Sequence, residues 1–208
     1  MGRKIFITGI GTGIGKTVVS AIVVEALGAH YWKPVQAGIQ PPTDAQQVQQ
    51  LLSNPQCAII PERYLLETPV SPHLAARLEH KQILLDEIPL PAVDGDLVIE
   101  GAGGVYSPIN DTQQNIDMIV AFKAEVIIVV RHYLGSINHS LLTIEALKNR
   151  NIPILGIVFN GINDASTDYI MQYSGLPNLL QLEEKILIDK KWIRNAADQF
   201  LQNRKDAC

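Results

Sequence analysis

Cysteine is nearly missing from this chain. Cys57 and Cys208 are the two among 208 residues, and neither belongs to a Cys-x-x-Cys pair. That argues against a disulfide framework and a thiolate zinc site. The five histidines, His30, His73, His80, His132 and His139, form no His-x-x-x-His pair and no Cys/His cluster, so zinc finds no ligand set among them. A basic excess is missing too. Seventeen Lys and Arg stand against 21 Asp and Glu, a formal charge of −4 with no long basic run. This argues against nucleic acid as the main partner. No apolar run reaches membrane-spanning length, and the chain enters a strand without a signal peptide. A cytoplasmic protein with no membrane partner is expected. No Gly-x-Ser-x-Gly elbow occurs, so serine-hydrolase chemistry has no support.

What is present is an ordinary globular composition, 47% hydrophobic and 18% charged, long enough for one domain over residues 1–208 with a substantial core. Apolar, β-branched runs at 5–8, 30–32, 96–100, 125–130, 154–160 and 178–182 alternate with helical segments. The helices are expected at 17–27, 44–52, 72–80, 115–122, 137–149, 166–173 and 189–202. Residues 40–42 and 88–92 read as loops, and 180–208 as a last strand and terminal helix. The run Val126-Ile127-Ile128-Val129-Val130 is apolar on both faces, as a buried parallel strand must be. The alternation predicts an α/β fold, a mostly parallel sheet with helices on both faces. Ligands then lie beyond the carboxyl ends of the strands.

The first strand leads into Gly9-Ile10-Gly11-Thr12-Gly13-Ile14-Gly15-Lys16-Thr17, and a buried helix follows. A strand, a glycine-rich turn and a helix opening with Gly-Lys-Thr form a phosphate cradle. Backbone N–H groups and the helix N-terminus face the anion, Lys16 adds a cation near the β- and γ-phosphates, and the Thr17 hydroxyl can ligate Mg²⁺. The strict P-loop pattern needs a glycine at Ile10; counted from Gly9 the loop is one residue longer. The dinucleotide pattern Gly-x-Gly-x-x-Gly fails at Ile14 or at Lys16, depending on the starting glycine.

Other candidates sit at strand exits. Pro34 forces Lys33 out of helical conformation, which leaves a lysine at the end of the second strand. Alone, it reads first as a solvated surface residue. Asp44 opens a helix behind Thr43, as a helix cap or as a metal ligand facing phosphates. Glu100 closes an apolar strand ahead of Gly101-Ala102-Gly103-Gly104. An acidic strand end is where a second Mg²⁺-coordinating group of a nucleotidase is expected, and the glycines admit close approach of substrate. A plain glycine turn is the alternative. In Gly135-Ser136-Ile137-Asn138-His139, Ser136 is a natural N-cap whose helix start could also bind a carboxylate. Asn160 ends a strand, either to read an adenine edge or to form an Asx-turn.

Together these segments resemble the ATP-dependent dethiobiotin synthetases. The resemblance runs from Ile5 to about Asn160. It rests on the expanded loop, on Lys33-Pro34-Val35-Gln36-Ala37-Gly38, on Asp44, on Ser71-Pro72-His73, on Glu100-Gly101-Ala102-Gly103-Gly104, and on Gly135-Ser136-Ile137-Asn138-His139. It implies a P-loop NTPase-like fold. It also implies an enzyme that carboxylates 7,8-diaminononanoate with CO₂ and closes a ureido ring with ATP as co-substrate and Mg²⁺ as cofactor. Gly13, Ile14 and Gly15, with Lys16, Thr17 and Val18 at the helix start, make the implied ATP site. Asp44, Glu100 and the turn Gly101-Ala102-Gly103 complete it, and Asn160 contacts adenine. By the same resemblance, Lys16 and Lys33 would neutralise carbamate and phosphoryl charge, Thr12 would position the carbamate, and Thr17, Asp44 and Glu100 would hold the metal. Lys33 and Ala37 face substrate. In a homodimer, Ser136, Ile137 and Asn138 of the second subunit hold the substrate carboxylate.

The chain departs from the family pattern at three places. Ile10, Gly11 and Gly13 stand where many members carry a polar pair and a Glu. Ala37 replaces a frequent Ser or Thr, so that hydroxyl contact is missing or supplied by Gln36. The adenine-contacting segment near the C-terminus has no clear match around 182–185. Partner-regulated P-loop ATPases that position plasmids or division proteins share the expected fold, but carry an extra lysine early in the loop, where this chain has Gly11. A ligase-related amidotransferase would need a glutaminase domain, for which there is no room. A non-catalytic nucleotide module would not require Lys33 and Glu100.

Overall fold

The computed structural model describes residues 2–162, 165–183, 185 and 187–206. Cys208 and part of the segment 182–185 lie outside those residues. Seven parallel strands form the main sheet. They are β1 (Lys4–Gly9), β2 (His30–Trp32), β4 (Ile59–Ile60), β6 (Leu97–Glu100), β7 (Glu125–Arg131), β8 (Ile154–Asn160) and β9 (Asn178–Leu182), in the order β4-β2-β6-β1-β7-β8-β9. A small parallel pair, β3 (Val35–Ala37) and β5 (Tyr64–Leu66), stands beside it. The helices are α1 (Lys16–Leu27), α2 (Asp44–Leu51), α3 (Pro72–Leu78), α4 (Asn115–Phe122), α5 (Ser136–Asn149), α6 (Ala165–Ser174) and α7 (Lys190–Asp206).

The alternation of side chains along each strand divides the core in two. In β7, Val126, Ile128 and Val130 face a cluster that holds Phe6, Ile119 of α4, Leu147 of α5 and Ile170 of α6. Ile127 and Val129 face the other, with Val23 of α1, Val48 of α2 and Phe200 of α7. The sheet is therefore covered on both faces, as its near-continuous apolar strands require. Helix α1 is buried along most of its length and stops at Gly28, whose left-handed conformation (φ 60°) lets its N–H cap the carbonyl of Val24.

The main strands and all seven helices stand where periodicity puts them, to within a few residues at the ends. Three short strands do not announce themselves. Val35–Ala37, read as part of a strand exit, pairs with Tyr64–Leu66, and Ile59–Ile60 adds to the sheet edge. Segments of two or three residues show no usable alternation. β1 lies between β6 and β7, so the carboxyl ends of these three strands open on one crevice with the exit of β2.

Candidate active site

The phosphate loop is shaped by left-handed glycines, Gly13 at φ 70° and Gly15 at φ 97°. At Gly15 the reason is double. Besides the turn, a Cβ there would sit 2.4 Å from the Asn160 amide nitrogen, which donates to the Ile14 carbonyl at 3.0 Å. The end of β8 thereby ties down the back of the loop. α1 opens at Lys16 without a side-chain cap, leaving first-turn amides for an anion. Lys16 Nζ donates to the Gly11 carbonyl at 2.7 Å.

Beside the loop lies a compact cluster of charge. Lys33 is 4% exposed and Glu100 1%, which overturns the solvated-lysine reading. Lys33 Nζ lies 2.9 Å from Glu100 Oε1 and 2.5 Å from Asp44 Oδ2. Thr17 Oγ1 lies 2.9 Å from Asp44 Oδ1 and 3.0 Å from Glu100 Oε1; with one proton it can donate to only one of them at a time. Glu100 Oε2 accepts from Ser20 at 3.0 Å and from the Tyr31 hydroxyl at 2.9 Å. Asp44 is not the cap of its helix. Thr43 is, accepting from the Gln46 N–H while the Gln46 side chain accepts from the Thr43 N–H. The Asp44 carboxylate is thus left to Lys33 and Thr17.

These neighbours set the ionisation of the group. Burial pulls the Lys33 ammonium down, but Glu100 and Asp44 outweigh it and the net shift is upward. Burial pushes Asp44 up, but Lys33 overrides it and the carboxyl stays below its usual range. Lys16 is drawn down to about 8, chiefly by burial and against the pull of Glu100. The Tyr31 phenol is pushed well above its ordinary value, first by burial and then by the charge of Glu100.

A cavity of about 690 Å³ opens on this cluster. Thr12, Gly13, Gly15, Lys16, Thr17 and Val18 line it from the loop side, Lys33, Ala37 and Asp44 from another, and Glu100, Ala102 and Gly103 from the β6 turn. Ile14 and Gly101 are buried behind this wall; a Cβ on Gly101 would meet the Phe6 ring at 2.7 Å. Gln36 also lines the cavity. Its Nε2 donates to the carbonyls of Ala37 (3.2 Å) and Gly38 (3.0 Å), and its buried Oε1 has no partner among the described residues. Asp44 and Glu100 thus converge on a cation, here the Lys33 ammonium, and the Thr17 hydroxyl adjoins both carboxylates. Hard oxygen donors of this kind suit Mg²⁺.

Ser136, Ile137 and Asn138 stand apart, in a second groove of about 880 Å³ with Tyr133, Leu134 and Tyr169. The N-cap of α5 is Gly135, at φ 102°, and not Ser136, which is the first helical residue and buried. Leu134 is fully exposed, and Tyr169 and Tyr133, which line the same groove, are exposed as well. Ser20 and Tyr31, which also belong to the cluster, carry no motif in the sequence that marks them. In the fold, Tyr31 faces the α1 side of the sheet, on the opposite face from Trp32.

A family model described as an AAA domain matches residues 3–191. The chain is similar to an ATP-dependent dethiobiotin synthetase BioD of Cytophaga hutchinsonii, 49% identical over 203 residues that cover 97% of this chain and 98% of that protein. The BioD protein of Christiangramia forsetii is 44% identical over 209 residues, 100% of this chain and 99% of its own. Among solved structures, a ParA family ATPase from Chlorobium tepidum TLS superposes with a TM-score of 0.58 at 14% identity, covering 99% of this chain and 97% of that one. MinD from Pyrococcus horikoshii OT3, the septum site-determining protein complexed with Mg-ADP, does so with a TM-score of 0.58 at 15% identity, covering 99% and 96%. The structural likenesses speak for the P-loop ATPase fold alone, and the sequence likenesses speak for the family. This chain belongs to the ATP-dependent dethiobiotin synthetase family.

Proposed function

We propose that this chain, as one P-loop ligase domain, converts 7,8-diaminononanoate, CO₂ and ATP into dethiobiotin, ADP and phosphate. A substrate amine adds to CO₂ and loses a proton, giving a carbamate. A carbamate oxygen attacks the γ-phosphorus and ADP leaves, giving a carbamic–phosphoric mixed anhydride. The second amine attacks the carbonyl carbon, expels phosphate and closes the ring.

The observation that carries this reading is the Lys33–Asp44–Glu100–Thr17 cluster opening on the same cavity as the phosphate loop. The reaction brings one anion against another, so the protein's task is positioning and charge stabilisation. Lys16 and the loop amides hold the phosphates. Lys33 faces the carbamate side, and Thr12, on the cavity wall, orients the carbamate. Asn160, already seated against Ile14, contacts adenine. Gly11 stands where partition ATPases carry their extra lysine, which counts against that function for this chain.

Thr17, Asp44 and Glu100 would hold Mg²⁺. Among the described residues no group of three or more His, Cys, Asp or Glu side chains forms a metal cage. A hydroxyl and two carboxylates suit an ion that takes its other ligands from phosphate and water. When bound, Mg²⁺ neutralises phosphate charge in the transfer.

The working form is a cytoplasmic homodimer. The exposed apolar rim of the second groove supports the dimer, and no helix among the described residues is long and apolar enough to cross a membrane. Ser136, Ile137 and Asn138 would receive the carboxylate of substrate bound in the other subunit. The test is incubation with ATP, Mg²⁺, bicarbonate and 7,8-diaminononanoate, read by mass spectrometry. Dethiobiotin is expected; ATP hydrolysis without it would overturn the reaction.

A further inference from the structure

The two oxygens of Glu100 live in different surroundings. Oε1 meets Lys33 and Thr17 at the cavity. Among the described residues Oε2 meets only neutral hydroxyls: Ser20, from α1 at 3.0 Å, and Tyr31, from the adjacent strand at 2.9 Å. All three side chains are almost wholly buried, Tyr31 at 0% exposure. Thr17 and Ser20 are three residues apart on one helix face, so α1 supplies one hydroxyl to each oxygen. Tyr31 pairs in register with Val98, two residues before Glu100 on β6. Its ring packs in the apolar cluster under α1, which includes Ile22, Val98 and Val129.

For packing alone a phenylalanine would serve at position 31. The hydroxyl is what the carboxylate uses. A carboxylate can bind a cation through one oxygen or through both, and it can rotate between the two. Two donors on Oε2 stop that rotation and leave Oε1 alone to turn outward. We propose that Tyr31 and Ser20 are positioning residues that pin Oε2 of Glu100 and so confine the cation side of the site to Oε1. The inference rests on the reading of Glu100 as a metal-side carboxylate. It concerns neither the loop nor the substrate. Partners behind a metal-binding group typically govern metal affinity by roughly 10–100-fold.

The probe is ADP with Mg²⁺, and the readout is the Kd of ADP by calorimetry with and without the metal. In Tyr31→Phe the enhancement of ADP affinity by Mg²⁺ falls roughly 10–100-fold, while the metal-free Kd stays near that of the wild type. Ser20→Ala behaves in the same way, and decides the matter if Tyr31→Phe does not fold. An unchanged Mg²⁺ enhancement in the folded variants overturns the proposal. So does an equal loss of ADP affinity with and without Mg²⁺, which would mark a structural role. Dethiobiotin formation is scored separately on the wild type. Its absence alongside a normal Mg²⁺ effect would overturn the reaction and leave this inference standing. A wild type whose ADP affinity ignores Mg²⁺ would overturn both.

Discussion

Helices α1 and α5 begin behind left-handed glycines, Gly15 at φ 97° and Gly135 at φ 102°, and neither has a side-chain cap. They follow the neighbouring central strands β1 and β7. The backbone device is the same, and the surroundings differ. At α1 the free amides stand beside Lys16, Lys33, Asp44 and Glu100, four charged side chains in one cavity. At α5 the amides open on a groove rimmed by Leu134, Tyr133 and Tyr169. The first helix start is supplied with charge by its own fold. The second offers an anion its amides and neutral polar side chains, Ser136 and Asn138 among them, and its apolar rim is the surface proposed for a second copy. A helix N-terminus therefore says that an anion can bind; the side chains around it say whether one chain suffices.

The comparison breaks most readily at Lys33. Lys33→Gln should lower kcat for dethiobiotin by on the order of 10²–10³, as the loss of one oxyanion donor does, with the Kd of ATP far less affected. It also leaves Glu100 buried beside Asp44 without the ammonium that contacts both, so metal-free stability should fall by about 3 kcal/mol and recover with Mg²⁺. Equal losses in kcat and ATP affinity would assign Lys33 to the nucleotide; no loss in either would make the cluster inert.

Leu134→Glu probes the other helix start. Light scattering should give one chain where the wild type gives two, and the KM for diaminononanoate should rise about tenfold, a change of roughly 1.4 kcal/mol. ADP affinity should not move, because α1 is self-sufficient. A wild type that is monomeric at assay concentration would remove the basis of the contrast.

A smaller effect comes from pH. Lys16 titrates at about 8 in the free protein, and bound phosphate keeps it protonated. ADP binding should then be independent of this group below pH 8. Above it, binding takes up a proton and the Kd rises by at most about tenfold per unit. The stability signs follow the same logic. Between about 8 and the ordinary value of 10.5 the unfolded chain holds the Lys16 proton better, so rising pH favours the fold through this group. Lys33 is raised; its contribution is full below 10.5 and is lost only above. Calorimetry in buffers of different ionisation enthalpy measures the proton uptake, and none at pH 8–9 would contradict the Lys16 assignment.

The smallest expected effect separates the cap from the site. Thr43→Ala should cost about 1 kcal/mol of stability with kcat unchanged, whereas Asp44→Asn should lower activity and leave the cap intact. Reversed outcomes would return Asp44 to a capping role.

Those two neighbours also show what the sequence could tell and what it could not. The phosphate loop was legible because its chemistry is contained in nine consecutive residues, and Glu100 because an acid closing an apolar run is a local pattern. Asp44 was ambiguous because a cap and a ligand look alike until Thr43 is seen to take the amide. The burial of Lys33 was hidden, since a lysine at a strand exit is ordinarily solvated. Tyr31 and Ser20 were invisible because their meeting with Glu100 depends on which strands lie side by side. The order β2-β6-β1 brings together residues 69 and 80 positions apart, and no spacing along the chain encodes that.

That strand order has a consequence for how the protein comes into being. β1 is made first, yet it sits between β6 and β7, which follow about 90 and 120 residues later. The loop that leaves β1 acquires Glu100 with the first and its rear tie, Asn160, only at the end of β8. At synthesis rates of roughly 5–20 residues per second, the 146 residues that separate Ile14 from Asn160 take about 7–29 seconds to make, and the phosphate loop precedes its rear tie by that interval. Nucleotide cannot stabilise a site that is unfinished, since a ligand favours only the state it binds. The first motif to be translated is therefore completed among the last, since its contacts with Glu100 and Asn160 need most of the chain.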